Sequence, residues 1–126
     1  MKTGEYTVIT NNPYFLKEPV KGEIRYMNFP PMKILTEARD LIHKGYILIT
    51  HPLVGGIKPN QTPYRTVILS AGPGPVDIDS VRVIGDSILI MEKFLKVKPI
   101  PPMADDIKKD LAFMDYTLIK EALESR

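Results

Sequence analysis

Cysteine is absent from this 126-residue chain. Its absence removes disulfides, thiol nucleophiles, cysteine-based zinc sites and iron–sulfur clusters together. Imidazole is scarce as well, with His43 and His51 the only histidines. Neither has a second histidine at ligand spacing, so no metal site is expected, and no cofactor motif is present. An excess of one charge is also missing. The chain carries 17 Lys and Arg against 15 Asp and Glu, a formal net charge of +2. That offers little capacity to neutralise a phosphate backbone, so nucleic acid is not an expected partner. No apolar run is long and unbroken enough to cross a bilayer, and the opening MKTGEYTVIT lacks a signal-peptide core. Membrane association is therefore not expected, and a cytoplasmic location is.

What remains is ordinary globular composition, 44% hydrophobic and 25% charged, in a chain sized for a single domain over residues 1–126. Residues 6–10 (YTVIT) read as a strand stopped by Asn11, Asn12 and Pro13. Residues 24–27 suggest a second short strand. Residues 32–44 place Ile34, Leu35, Ala38, Leu41 and Ile42 on one helical face, with Gly45 as the stop. Residues 46–50 (YILIT) and 66–69 (TVIL) are nearly all apolar, as strands covered on both sides are. The AGPGPV segment, 71–76, reads as a tight, mobile connection. Residues 79–97 form the clearest helix, through Val81, Ile84, Ile88, Met91 and Leu95, with Asp77 or Asp79 as its cap. Gly85 inside it suggests close packing on a neighbour. Residues 104–124 put Ile107, Leu111, Met114, Leu118 and Ala122 on one face, with Asp115 as the cap of a second short helix. The order predicts an α/β sandwich: a small, mostly parallel, Rossmann-like sheet flanked by helices.

One internal echo points to a site. The first strand ends ITNNP and the run at 46–50 ends ITHP. Parallel strands would bring both polar tips to one carboxyl edge of the sheet, where open α/β sheets hold ligands. Between the two apolar runs lies a loop with Lys58, Asn60, Thr62, Tyr64 and Arg65, and with Gly55 and Gly56 to permit close backbone approach. It is too long for a bare connection in a compact domain. It is not a phosphate-binding P-loop, because GxxxxGK[ST] is absent. Thr10, Asn11, Asn12, Thr50, His51, Lys58, Asn60, Thr62, Tyr64 and Arg65 are thus the expected binding residues, suited by amides, hydroxyls and cations to a carboxylate or phosphate group. The paired acids Asp77/Asp79 and Asp105/Asp106 read as helix starts. No catalytic residue is assigned. The rival reading makes His51 an acid/base with Tyr64 or an aspartate as partner. Ile88, Ile90 and Met91 would serve either the core or a contact in a homo-oligomer.

The combination of TNNP near the start, RDLIHKG before an apolar run, and THPL followed by IKPNQTPY resembles the GrdX-like proteins. The likeness runs from about residue 7 to the C-terminal helices. The resemblance implies a place beside glycine, sarcosine or betaine reductase components in Stickland-type fermentation. It implies no known activity and carries over no catalytic residue. Without cysteine, the chain is not expected to relay thiol or selenol electrons. The expected role is that of an accessory protein binding a small anionic metabolite or reductase-complex subunits, with an assembly factor lacking any small-molecule site as the further alternative.

Overall fold

The structure, a computed structural model, describes residues 5–55 and 57–125. Gly56, one of the two glycines expected to admit a ligand, lies outside the described residues, as do residues 1–4 of the opening segment. The elements run β1 (Tyr6–Thr10), α1 (Tyr14–Lys17), β2 (Gly22–Tyr26), α2 (Pro31–His43), a 3₁₀ turn (Pro59–Gln61), β3 (Thr66–Leu69), α3 (Ile78–Val97) and α4 (Asp105–Glu124).

Local chemistry sets the boundaries. Pro31 opens α2, where a missing N–H costs nothing. Gly45 follows the helix at φ +109°, and a Cβ there would overlap the Gly74 carbonyl oxygen. Gly74 N–H also donates to Gly45 O (3.0 Å), tying the 71–76 turn to the end of α2. Asp77 caps α3 by accepting from Ser80 N (3.0 Å) and Ser80 Oγ (2.6 Å). These hydrogen bonds, the hydroxyl's first, hold the Asp77 carboxyl below the usual carboxylate range. Gly85 is not a packing device: a Cβ built there meets no atom within 4 Å.

The sheet has the order β2-β1-β3. β1 pairs with β2 in parallel and with β3 antiparallel, so the expected mostly parallel, Rossmann-like sheet is corrected to a small mixed one. Residues 46–50 are the reason. They run beside β3 in antiparallel sense but make only the bridge Leu48↔Leu69, not a strand. A side-chain hydroxyl takes the Ile47 amide that would continue the ladder, and another takes the outward-facing Leu48 amide. Ile47 N donates to Ser70 Oγ (2.9 Å) and Leu48 N to Ser80 Oγ (2.9 Å). The stretch from 46 to 69 is thus a wide hairpin that folds back on itself, not two parallel strands with a crossover between them.

Alternation along the strands divides the core between two faces. Ile9, Val67 and Leu69 meet Ile34, Leu35, Ala38 and Ile42 of α2 and Ile84, Ile88 and Met91 of α3. Val8 and Ile68, on the other face, meet Phe15 beside α4's Tyr116 and Ile119. The α4 face differs from the expected one. Ala112, Tyr116 and Ile119 are buried, whereas Ile107 and Met114 are 50% and 42% exposed. Nor does α4 break at Asp115: it is one helix of 20 residues with Asp115 in its middle. No helix among the described residues is long and apolar enough to cross a membrane.

Candidate functional site

The carboxyl end of β1 enters a buried polar knot. Asn11 spends its side chain internally. Its Oδ1 accepts from Arg65 N (2.8 Å), and its Nδ2 donates to Phe29 O and Pro63 O (2.8 Å each). It pins three segments together, and both of its amide protons are used. Asn12 turns the chain into α1 by accepting from Tyr14 N through Oδ1 (2.9 Å). Its Nδ2 reaches across the sheet to α4, donating to Ala112 O (2.8 Å) and Asp115 Oδ2 (2.9 Å).

Asp115 closes a ring of hydrogen bonds. Thr66 Oγ1 donates to Asp115 Oδ2 (2.7 Å), which uses the only proton Thr66 has to give. The 2.7 Å contact between Thr10 Oγ1 and Thr66 Oγ1 must therefore run from Thr10 to Thr66. Thr10 Oγ1 in turn accepts from Asn12 N (2.9 Å). The circuit runs from the Asn12 amide through Thr10 and Thr66 to Asp115, and returns through the Asn12 side chain. Burial pushes the Asp115 carboxyl up from its ordinary value, opposed by the bonds from Asn12 and Thr66 and by the charge of Arg65.

Arg65 lies beside this ring and forms no ion pair with Asp115. Its side chain is buried, its NH1 donates to Pro52 O at a long 3.4 Å, and its Nε has no partner. Burial pushes the guanidinium pKa down, and Asp115 pulls it back. Both residues line a small, partly open recess of about 20 Å³, between Val54 and Ile57 of the loop and Leu111 and Leu118 of α4. That is room for roughly one water-sized group. Tyr64 also lines it, with its hydroxyl pKa raised by burial and then by Tyr26 and Asp105. Thr62, in the same wall, accepts from Tyr64 N (3.2 Å).

The remaining expected residues stand apart from this recess. Residues 46–50 run antiparallel to β3, as β1 does, so the Asn11–Asn12 and His51 tips point to the same end of the sheet. His51 is nonetheless exposed there, and its Nδ1 accepts from Leu53 N (3.0 Å). The Thr50 hydroxyl is buried without a hydrogen-bond partner. Lys58 is exposed at the start of the 3₁₀ turn. Asn60 closes the end of α3, donating to Phe94 O (3.2 Å) and Lys98 O (3.1 Å).

Two features escaped the sequence. Asp115 and Thr66 complete the ring, and the usable signal was an acid beside Ala112, Tyr116 and Ile119 on one helical side. A second, open cleft of about 500 Å³ gathers Tyr14, Lys17, Tyr64, Lys108 and Lys109. Among the described residues no cluster of His, Asp and Glu could hold a metal ion.

Comparison with curated proteins and with solved structures gave no match. A family model described as GrdX-like protein matches residues 7–124, nearly the whole chain, and the protein belongs to the GrdX-like family.

Proposed function

We propose that this protein is an accessory component of glycine, sarcosine or betaine reductase metabolism that holds a small anion on Arg65. Family membership supports the metabolic setting. The observation that carries the binding site is the buried Arg65 guanidinium, whose Nε–H faces no acceptor in the protein. A buried donor left unmade costs about 1–3 kcal/mol, and an acceptor oxygen in the recess would recover it. The recess admits one oxygen-bearing group, so the ligand offers the tip of a carboxylate or phosphate.

Thermal denaturation with formate, acetate and inorganic phosphate tests the site. A ligand at ten times its dissociation constant stabilises the fold by about 1.4 kcal/mol, a rise of roughly 5 °C in midpoint. The rise should vanish in Arg65→Met, with folding checked by circular dichroism, and persist in Lys58→Ala. No rise with any of the three anions, or the same rise in Arg65→Met, would remove the reading. Affinity capture from the native host tests the setting separately, through recovery of reductase subunits. Catalysis by His51 has less support, because that side chain lies outside the recess and its Nδ1 is taken by the Leu53 amide.

A further inference from the structure

The Arg65 recess is too small to hold a whole ligand. At about 20 Å³ it takes one oxygen-bearing tip, and the rest of any molecule bound there must emerge beside it. Tyr64 is a wall that the recess shares with the open cleft of about 500 Å³. On α4 the two are lined by residues three apart, which are neighbours on a helix surface: Lys108 and Ala112 on the cleft, Leu111 and Asp115 in the recess. The cleft has the volume of an ordinary small-molecule site.

Three cations line this cleft, Lys17 from α1 and Lys108 and Lys109 from α4, with Asp105 as the one acid in its wall. Asp106 and Asp110 belong to the same turns of α4 but stand about 100° and 140° around the helix from Asp105. Neither lines the cleft, and Asp110 instead lines a separate groove with Phe113 and Met114. Arg25, Lys33, Arg39 and Arg82 each pair with an acid, whereas Lys17, Lys108 and Lys109 make no ion pair among the described residues. A cleft lined mainly by one sign of charge concentrates the opposite sign.

We propose that the ligand of this site is a small molecule with an anionic group at each end, of the dicarboxylate class. One carboxylate tip enters the recess at Arg65, and the other meets the lysines of the cleft. The proposal rests on the Arg65 reading and deepens it by naming the second charge. Tyr14 and Tyr64 give the carbons between the two ends an apolar surface. A monocarboxylate reaches only one of the two cationic sites, and a purely apolar tail would lie among three ammonium groups.

Isothermal titration calorimetry of the whole chain tests it, with acetate and with the dicarboxylates from malonate to adipate at neutral pH. The best-fitting dicarboxylate should bind about tenfold tighter than acetate, because it adds a charge-assisted contact. That advantage should shrink as sodium chloride is raised. Lys17→Ala/Lys109→Ala should bring the dicarboxylate down to the acetate level and leave acetate binding at wild-type strength. Lys93→Ala/Lys96→Ala removes the same charge from exposed positions on α3 and should keep the advantage. If acetate binds through Arg65 and no dicarboxylate binds more tightly, this inference is overturned and the Arg65 reading stands. An advantage that survives in Lys17→Ala/Lys109→Ala, or is lost equally in Lys93→Ala/Lys96→Ala, overturns it in the same way. If no acid binds in a manner that Arg65→Met abolishes, both fall.

Discussion

The two faces of one three-stranded sheet are held in different ways. Toward α2 and α3 the strands present Ile9, Val67 and Leu69 to isoleucines, leucine, alanine and methionine, with Ser80 and Ser87 the buried hydroxyls of α3. Toward α4 the apolar cluster of Val8, Phe15, Ile68, Tyr116 and Ile119 adjoins the Thr10–Thr66–Asp115–Asn12 ring. Apolar burial is non-directional and tolerates exchange of shape for shape. In a buried polar ring the loss of one member leaves its partners unpaired, which costs more than a change of shape. The first face supplies bulk stability, and the second fixes where α4 sits and therefore the shape of the Arg65 recess.

The comparison can be broken in order of effect. Leu35→Ala empties part of the α2 face and should cost about 2–5 kcal/mol in denaturant unfolding. Asn12→Ala leaves Ala112 O and the Tyr14 amide without side-chain partners and should cost about 1–3 kcal/mol. It should also speed amide exchange in α4 before α2 or α3. Equal acceleration in all three helices would contradict the division between faces.

The carboxylate sharpens the contrast through pH. Because burial raises the Asp115 pKa, the folded chain keeps this proton to higher pH than the unfolded chain does. The stability linked to it is present below the ordinary value of 3.8 and is lost as pH rises through the folded value. Urea midpoints measured upward from there should fall in wild type. Asp115→Asn should remove that part of the fall, while Leu35→Ala leaves it in place. The smallest effect has the opposite sign. Gly85→Ala, in open space within α3, should stabilise by ~1 kcal/mol, read as a raised thermal midpoint.

These contrasts also explain what the sequence made legible. β1, α2 and α3 are readable because each writes its buried side in its own periodicity: Ile84, Ile88 and Met91 are spaced as they are because one neighbour lies along the whole helix. On α4 the more apolar stripe, Ile107 and Met114 among it, is half exposed, and the buried side mixes Ala112 and Ile119 with a tyrosine and an acid. Residues 46–50 look like a strand because composition does not record that Ser70 and Ser80 claim their amides. Asn11 looked like a ligand contact, and its partners Phe29, Pro63 and Arg65 are supplied by segments far along the chain. Thr10, Asn12 and Arg65 were singled out together, but Asp115, the residue that organises them, is 103 positions from Asn12. No local pattern reports a contact over that span.

The Thr66–Asp115 bond also proofreads alignment. Sliding β3 by one position against β1 would turn every side chain to the opposite face. The hydroxyl of Thr66 would then point toward α3, and the carboxylate would be stranded without its shortest donor. A four-residue strand of nearly uniform apolar character has little else to tell one alignment from the next. In this molecule one acid in the middle of the last helix does that checking.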